Sequence, residues 1–234
     1  MAIYLSKFGS SENVSGIADN SVPNRWHDAW GDCNAALMDT VYRAGDFTVT
    51  ATGTSPITAS VVPGAFALIT TAATEYAGDN VQYAGSQFKL ESGKPCYFGA
   101  KLTVSDATQS DLLVGLCGVD TTLTAASAAH AIAVSAGGVF FSKLDAVTAG
   151  YFKTYSTGTE ANSAAAFTLD TSAHIYEFFY DGSELTGYVD GVKIATFKAS
   201  ITSEVLTPSI CFRAGEGVAK TCTVHWIRAI QARS

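Results

Sequence analysis

Asp190-Gly191 stands directly between two strand-forming runs, "LTGYV" and "VKIATF", with no other residue to make the turn. A two-residue Asp-Gly loop favours a type I′ turn, because both central positions need positive φ and the turn's twist matches that of paired strands. Such a turn sets the register: Val189 opposite Val192, Tyr188 opposite Lys193 and Gly187 opposite Ile194, with Val189, Val192 and Ile194 on one face. Just upstream, "HIYEFFYD" alternates, with Tyr176, Phe178 and Tyr180 on one side and Ile175, Glu177 and Phe179 on the other. Asp181-Gly182-Ser183-Glu184 closes this run onto "LTGYV" as a looser turn. Three strands in a meander, each with an apolar side, require a second layer to cover that side.

The remaining sequence supplies that layer. Only 15% of the 234 residues are charged, while Thr, Ser, Val, Gly and aromatic residues abound, a composition suited to strands and turns rather than helices. From Asp46 onward strand-like runs follow one another: "FTVTA", an edge strand or loop in "SPITASVVPG", "AFALITT", "DNVQYAG", "SQFKLESGKP", "CYFGAKLTV", "LLVGLCGV", "HAIAVSA", "GVFFSKLD", "GYFKTYST" and "AAFTL", then the meander, "SICFRAG" and "CTVHWIRAIQA". Without helices between them these strands pair antiparallel, in a β-sandwich or barrel. Residues 1–45 read as an extended N-terminal arm and 46–234 as the β domain. The arm shows no sustained periodicity apart from a short helix or turn at Ala35 to Val41. Its aromatic residues Tyr4, Phe8, Trp26 and Trp30 are candidate anchors, either on the chain's own domain or on a neighbouring subunit.

The net charge of −7 and the lack of a Lys/Arg cluster argue against nucleic acid as a partner. No apolar run approaches the roughly 20 residues that span a bilayer. "MAIYLSKFGSSENVSG" lacks the pattern of a signal peptide, which predicts synthesis in the cytoplasm of the producing cell. Five cysteines without CxxC spacing suggest neither a disulfide framework nor a zinc site; Cys96, Cys117, Cys211 and Cys222 fall in strand-like runs, as small buried hydrophobes. His27, His130, His174 and His225 show no metal-ligand spacing, GxSxG is absent, and "AGGVFF" and "GEGVAK" are turns rather than phosphate loops. Tyr151, Phe152 and Tyr155 read first as core or cross-strand packing and second as an aromatic groove for carbohydrate.

The meander, followed by "LTPSICFRAG" and "TVHWIRAIQAR", resembles the closing strands of concanavalin A-like, laminin-G-like jelly rolls. The stretch through "SDATQSDLLVGL" is similar to such domains encoded by tailed bacteriophages, and the likeness runs from about Ala65 to Arg233. The resemblance implies a virion structural protein, a head decoration or cement protein that stabilises the assembled capsid. The major capsid protein would then be its partner, with self-association into a homo-oligomer. The alternative is a carbohydrate-binding module of a tail fibre or capsid surface, with a glycan as partner. Lectin members of the superfamily hold calcium and manganese with an Asp/Asn/His cluster, whereas Asp106, Asp111 and Asp120 here are scattered among turn sequences. Glucanase members carry a Glu-x-Asp-x-x-Glu run; here Glu177 stands alone, and Glu160, Glu184, Glu204 and Glu216 fall in predicted turns. Glycoside hydrolysis needs two positioned carboxylates, so the expectation is of no enzymatic activity, no cofactor and no metal.

Overall fold

A computed structural model describes residues 33–38, 44–53, 57–85, 88–127 and 129–232. In chain order the strands are β1 (Cys33–Met38), β2 (Phe47–Thr52), β3 (Ile57–Ala59), β4 (Ala67–Thr70), β5 (Gly78–Tyr83), β6 (Phe88–Lys89), β7 (Cys96–Val104) and β8 (Ser110–Cys117). They continue with β9 (Gly138–Lys143), β10 (Ala149–Ser156), β11 (Thr159–Thr168), β12 (His174–Tyr180), β13 (Leu185–Val189), β14 (Val192–Phe197), β15 (Val205–Ala214) and β16 (Thr221–Ala232). Every pairing is antiparallel. Sheet A runs β14-β13-β12-β7-β16-β4-β3, with β1 also on β16; sheet B runs β11-β10-β9-β8-β15-β5-β2, with β6 also on β15.

The two sheets bury their inner faces against each other, as the alternation in each strand demands. Tyr176, Phe178 and Tyr180 of β12 all enter this core. Phe152 of β10, fully buried, lies at its centre, with ring centroids 4.7 Å from Phe141, 5.3 Å from Phe197 and 6.1 Å from Phe178. Each such ring contributes about 1.5 to 3 kcal/mol through burial. Cys96 and Cys222 pack in the same core, and burial raises both thiols, that of Cys222 to about 12.

The hairpin around Asp190-Gly191 forms as its sequence predicts, with φ of 51° and 77° at the two turn residues. Val189 faces Val192 and Tyr188 faces Lys193. The third pair differs: a bulge sets Gly187 opposite Ala195 rather than Ile194. The extra residue lets Ile194 and Phe197 both reach the core from the outermost strand, while Val192 at the turn stays 66% exposed.

Two local expectations are corrected. Cys33–Met38, which overlaps the helix or turn predicted at Ala35 to Val41, is a strand, because β16 runs on past β4 and offers it a ladder from Ile227 to Ala232. "HAIAVSA" forms no strand; among its residues only Ile132 bridges, to Thr124, inside the long β8–β9 connection. That connection, residues 118–137, folds back over the outer face of sheet B and is called the flap. The arm residues Tyr4, Phe8, Trp26 and Trp30, and His27 with them, lie outside the described residues.

Candidate functional site

Two groups of side chains meet on the outer face of sheet B. The first is a ledge on β10. Tyr151, Lys153 and Tyr155 alternate outward along it, opposite Ser142, Phe140 and Gly138 of β9 and beside Ala165, Ser163 and Glu160 of β11. Tyr151 is 38% exposed, the Lys153 ammonium stands 5.2 Å over its ring, and Lys153 is paired with Glu160. Tyr155 leans on Phe140 with centroids 5.3 Å apart, and burial, then the Glu160 charge, raises its phenol. Phe152 points the other way into the core, so the predicted trio separates into two outward tyrosines and one core ring. Glu160, assigned to a turn from sequence, lies in strand β11 because β10 and β11 extend further than "AAFTL" suggested.

The second group surrounds His130, in the flap. Its Nδ1 lies 2.8 Å from Oδ2 of Asp111, a fully buried residue of β8. Its Nε2 lies 3.7 Å from Asp145 of the β9–β10 turn and 3.9 Å from Glu75 of the β4–β5 loop. The Tyr76 ring packs on the imidazole at 5.0 Å, and its hydroxyl is raised chiefly by a hydrogen bond with Glu75. Both Tyr76 (φ 67°) and His130 (φ 38°) are left-handed, a conformation that costs a non-glycine residue about 1 kcal/mol or more. Burial raises the Asp111 carboxyl; the His130 hydrogen bond and the amide of Asp145, which donates to Oδ1 at 2.7 Å, oppose that rise. Nearby Lys143, buried, donates to the carbonyls of Thr108 and Ser110, and burial lowers its ammonium to about 8. The buried acid orients the imidazole, whose other nitrogen faces the largely buried Asp145 and the exposed Glu75. Such a centre can exchange protons or bind hydroxyl groups.

The sequence placed Asp106, Asp111 and Asp120 together only as turn residues. Asp106 is one: its Oδ1 accepts from the amides of Thr108 and Gln109, and Lys220, followed by those amides, holds its carboxyl down to about 2. Asp120 accepts from Thr122 and, through Oδ2, from the amide and hydroxyl of Ser135, which pins the two legs of the flap. Asp111 is corrected to a strand residue with His130 as partner. His174 is held between Asp190 and Asp170 at 2.7 and 3.0 Å, and His225 meets the Thr103 hydroxyl at 3.0 Å. On sheet A, Glu177 accepts from the Tyr97 hydroxyl at 2.6 Å. Among the described residues no three His, Cys, Asp or Glu side chains are arranged to hold a metal ion, and no helix is long and apolar enough to cross a membrane.

No protein-family model matches the chain, and no curated protein matches it in sequence. Solved structures match its two-sheet jelly roll. Bacillus licheniformis β-glucanase superimposes with a TM-score of 0.60 at 12% identity, over 85% of this chain and 98% of that one. An endo-1,3-β-glucanase from Streptomyces sioyaensis gives 0.57 at 11% identity, over 87% and 98%. The carbohydrate recognition domain of Emp46p gives 0.56 at 10% identity, over 79% and 88%. The fold is therefore the concanavalin A-like jelly roll, as the closing strands implied, while these neighbours lend no support to a virion role.

The expectation of no enzymatic activity is corrected by the same comparison, since chains that share this fold over nearly their whole length are glucanases. The expectation rested on the need for two positioned carboxylates and on the lack of a Glu-x-Asp-x-x-Glu run in the sequence. In the structure Asp111, Asp145 and Glu75, from three separate elements, meet at one imidazole.

Proposed function

We propose that this chain is a carbohydrate-binding jelly roll whose ligand lies along the β10 ledge. The observation that carries the reading is the exposed Tyr151 ring on the outer face of sheet B, in line with Lys153 and Tyr155. An aromatic face takes the apolar side of a pyranose, while the charged groups beside it accept and donate hydrogen bonds to hydroxyls. Tyr151 and Tyr155 are four residues apart along a strand, about 14 Å, which suits an extended chain of a few sugars. That the fold is shared with glucanases and a carbohydrate recognition domain supports the same reading.

Calorimetric titration with neutral β-glucan oligosaccharides tests it. Tyr151→Ala is expected to weaken binding about tenfold, whereas Val192→Ser on the opposite side leaves it unchanged. Absence of binding by the unaltered chain across a glycan array overturns the reading. A second reading, glycoside hydrolysis, is favoured by one observation: Asp145 and Glu75 both lie within 4 Å of the same nitrogen of His130. Release of reducing ends that Glu75→Gln abolishes is its test. Location on a virion, with the major capsid protein as partner and a homo-oligomeric state, rests on the resemblance over Ala65 to Arg233 alone. Co-purification with intact virions decides it.

A further inference from the structure

The outer face of a sandwich sheet needs no cover, yet β8 is buried at every position because the flap lies on it. Leu113, Cys117, Phe140 and Cys211 of sheet B meet Leu123 and Val134 of the flap in a second apolar cluster. Beside this cluster, polar side chains of the sheet grip the flap's own peptide groups. Asn80 Nδ2 donates to the carbonyl of Asp120 at 2.7 Å and Gln82 Nε2 to that of Gly118 at 3.0 Å. Gln82 Oε1 in turn accepts from the amide of Asp120 at 2.9 Å, and Arg213 Nε donates to the Thr124 hydroxyl at 3.0 Å. Asn80 is 1% exposed and its Oδ1 has no hydrogen-bond partner among the described residues, an acceptor that a different occupant would satisfy. Strand registers put this patch in line with the ledge: Tyr151, Ser142, Leu113, Cys211 and Asn80 form one row across β10, β9, β8, β15 and β5.

We infer that the flap is an autoinhibitory cover. Its residues Gly118 to Thr124 fill, with their own backbone, a polar site continuous with the ledge, and His130 latches the far end of the flap to Asp111, Asp145 and Glu75. When the flap swings out, Asn80, Gln82 and Arg213 are free to bind the hydroxyls of a neutral glycan that extends from Tyr151. The ligand class rests on the carbohydrate-binding reading; the existence of a separately opening flap does not.

Hydrogen exchange and thiol labelling on the full chain test both parts. Cys117 and Cys211 lie under the flap, whereas Cys96 and Cys222 lie between the sheets. The expected result is that Cys117 and Cys211 label before Cys96 and Cys222, and that His130→Gln speeds their labelling and the exchange of the Leu123 to Val134 amides about tenfold, leaving Cys96 and Cys222 unchanged. Val134→Ala on the flap gives the same readout should His130→Gln fail to fold. A neutral β-glucan hexasaccharide is expected to raise flap exchange further while it protects the β10 amides. If all four thiols label together, the flap is a permanent part of the body and the inference falls. If the hexasaccharide binds through Tyr151 but flap exchange stays constant, the site under the flap is refuted and the ledge reading stands. If the hexasaccharide does not bind at all, the ligand assigned to both falls.

Discussion

Sheet B has an apolar cluster on each of its faces, and the two are built differently. The inner one is made by strands against strands: Phe98 and Phe178 stack at 5.2 Å, and Phe152 joins Phe141, Phe178 and Phe197 across the two sheets. The outer one is made by a loop against strands and, among the described residues, has six buried members, Leu113, Cys117, Leu123, Val134, Phe140 and Cys211. Its loop side is held by side-chain hydrogen bonds from Asn80, Gln82, Asp120 and Arg213, by one imidazole, and by a few backbone bonds at the Thr124–Ile132 bridge and at Gly137 and Ala136. A core closed by ladders on both sides fails only when the sheets part. One closed by a loop can fail alone, because its opening leaves every strand pair intact.

The largest expected effect separates the two directly. Phe152→Ala removes the ring on which three other phenylalanines pack, and is expected to cost about 3 to 5 kcal/mol of global stability in urea unfolding. Leu123→Ala is expected to cost less, about 2 kcal/mol, and in a different currency. The loss it imposes on global unfolding is capped at the free energy that keeps the flap closed, since beyond that point the open-flap molecule becomes the ground state. It is therefore expected to raise exchange of flap amides by more than it shifts the urea midpoint. Equal effects of the two substitutions on midpoint and on flap exchange would show a single cooperative unit and end the distinction.

The same contrast explains what could be read from the sequence. The inner core was legible because strand alternation names the inward residues and an Asp-Gly turn fixes who faces whom, as at Tyr176, Phe178, Tyr180 and Asp190. Where a bulge intervened, at Ile194, nothing in the local pattern announced the extra residue. "HAIAVSA" reads as a strand, yet its apolar Ile132 and Val134 pack on the outer cluster from a loop. Its alternation could not say that they face a sheet from outside without pairing. Asp111 and His130 were seen separately for a related reason. They are nineteen residues apart in sequence, and only the path of the flap, which depends on Asn80 and Gln82 much earlier in the chain, brings them to 2.8 Å. The ledge was half legible: the two outward tyrosines were named, but the face each ring takes required the register of β9 and β10.

The smallest expected effect concerns the body's own histidine clasp, the counterpart of the flap's latch. His174 joins Asp170, just before β12, to Asp190 in the β13–β14 turn, so it staples the meander without touching the flap. Partial burial works against its charge, but the hydrogen bonds to Asp190 and Asp170 outweigh it and raise the imidazole above its ordinary value. A group that binds its proton more tightly in the folded chain adds stability that is fully present below the unfolded pKa, near 6.5, and is lost as pH rises through the higher folded value. His174→Gln is therefore expected to lower Tm by about 1 to 2 °C at pH 5.5, where the clasp is charged, and by less at pH 8.5. Flap exchange should stay unchanged at both pH values, because the two aspartates bond to His174, Ser172 and Ile175 within the meander region. A pH-independent loss of Tm would assign His174 to packing rather than charge, and a change in flap exchange would mean that the flap and the meander of sheet A do not open independently.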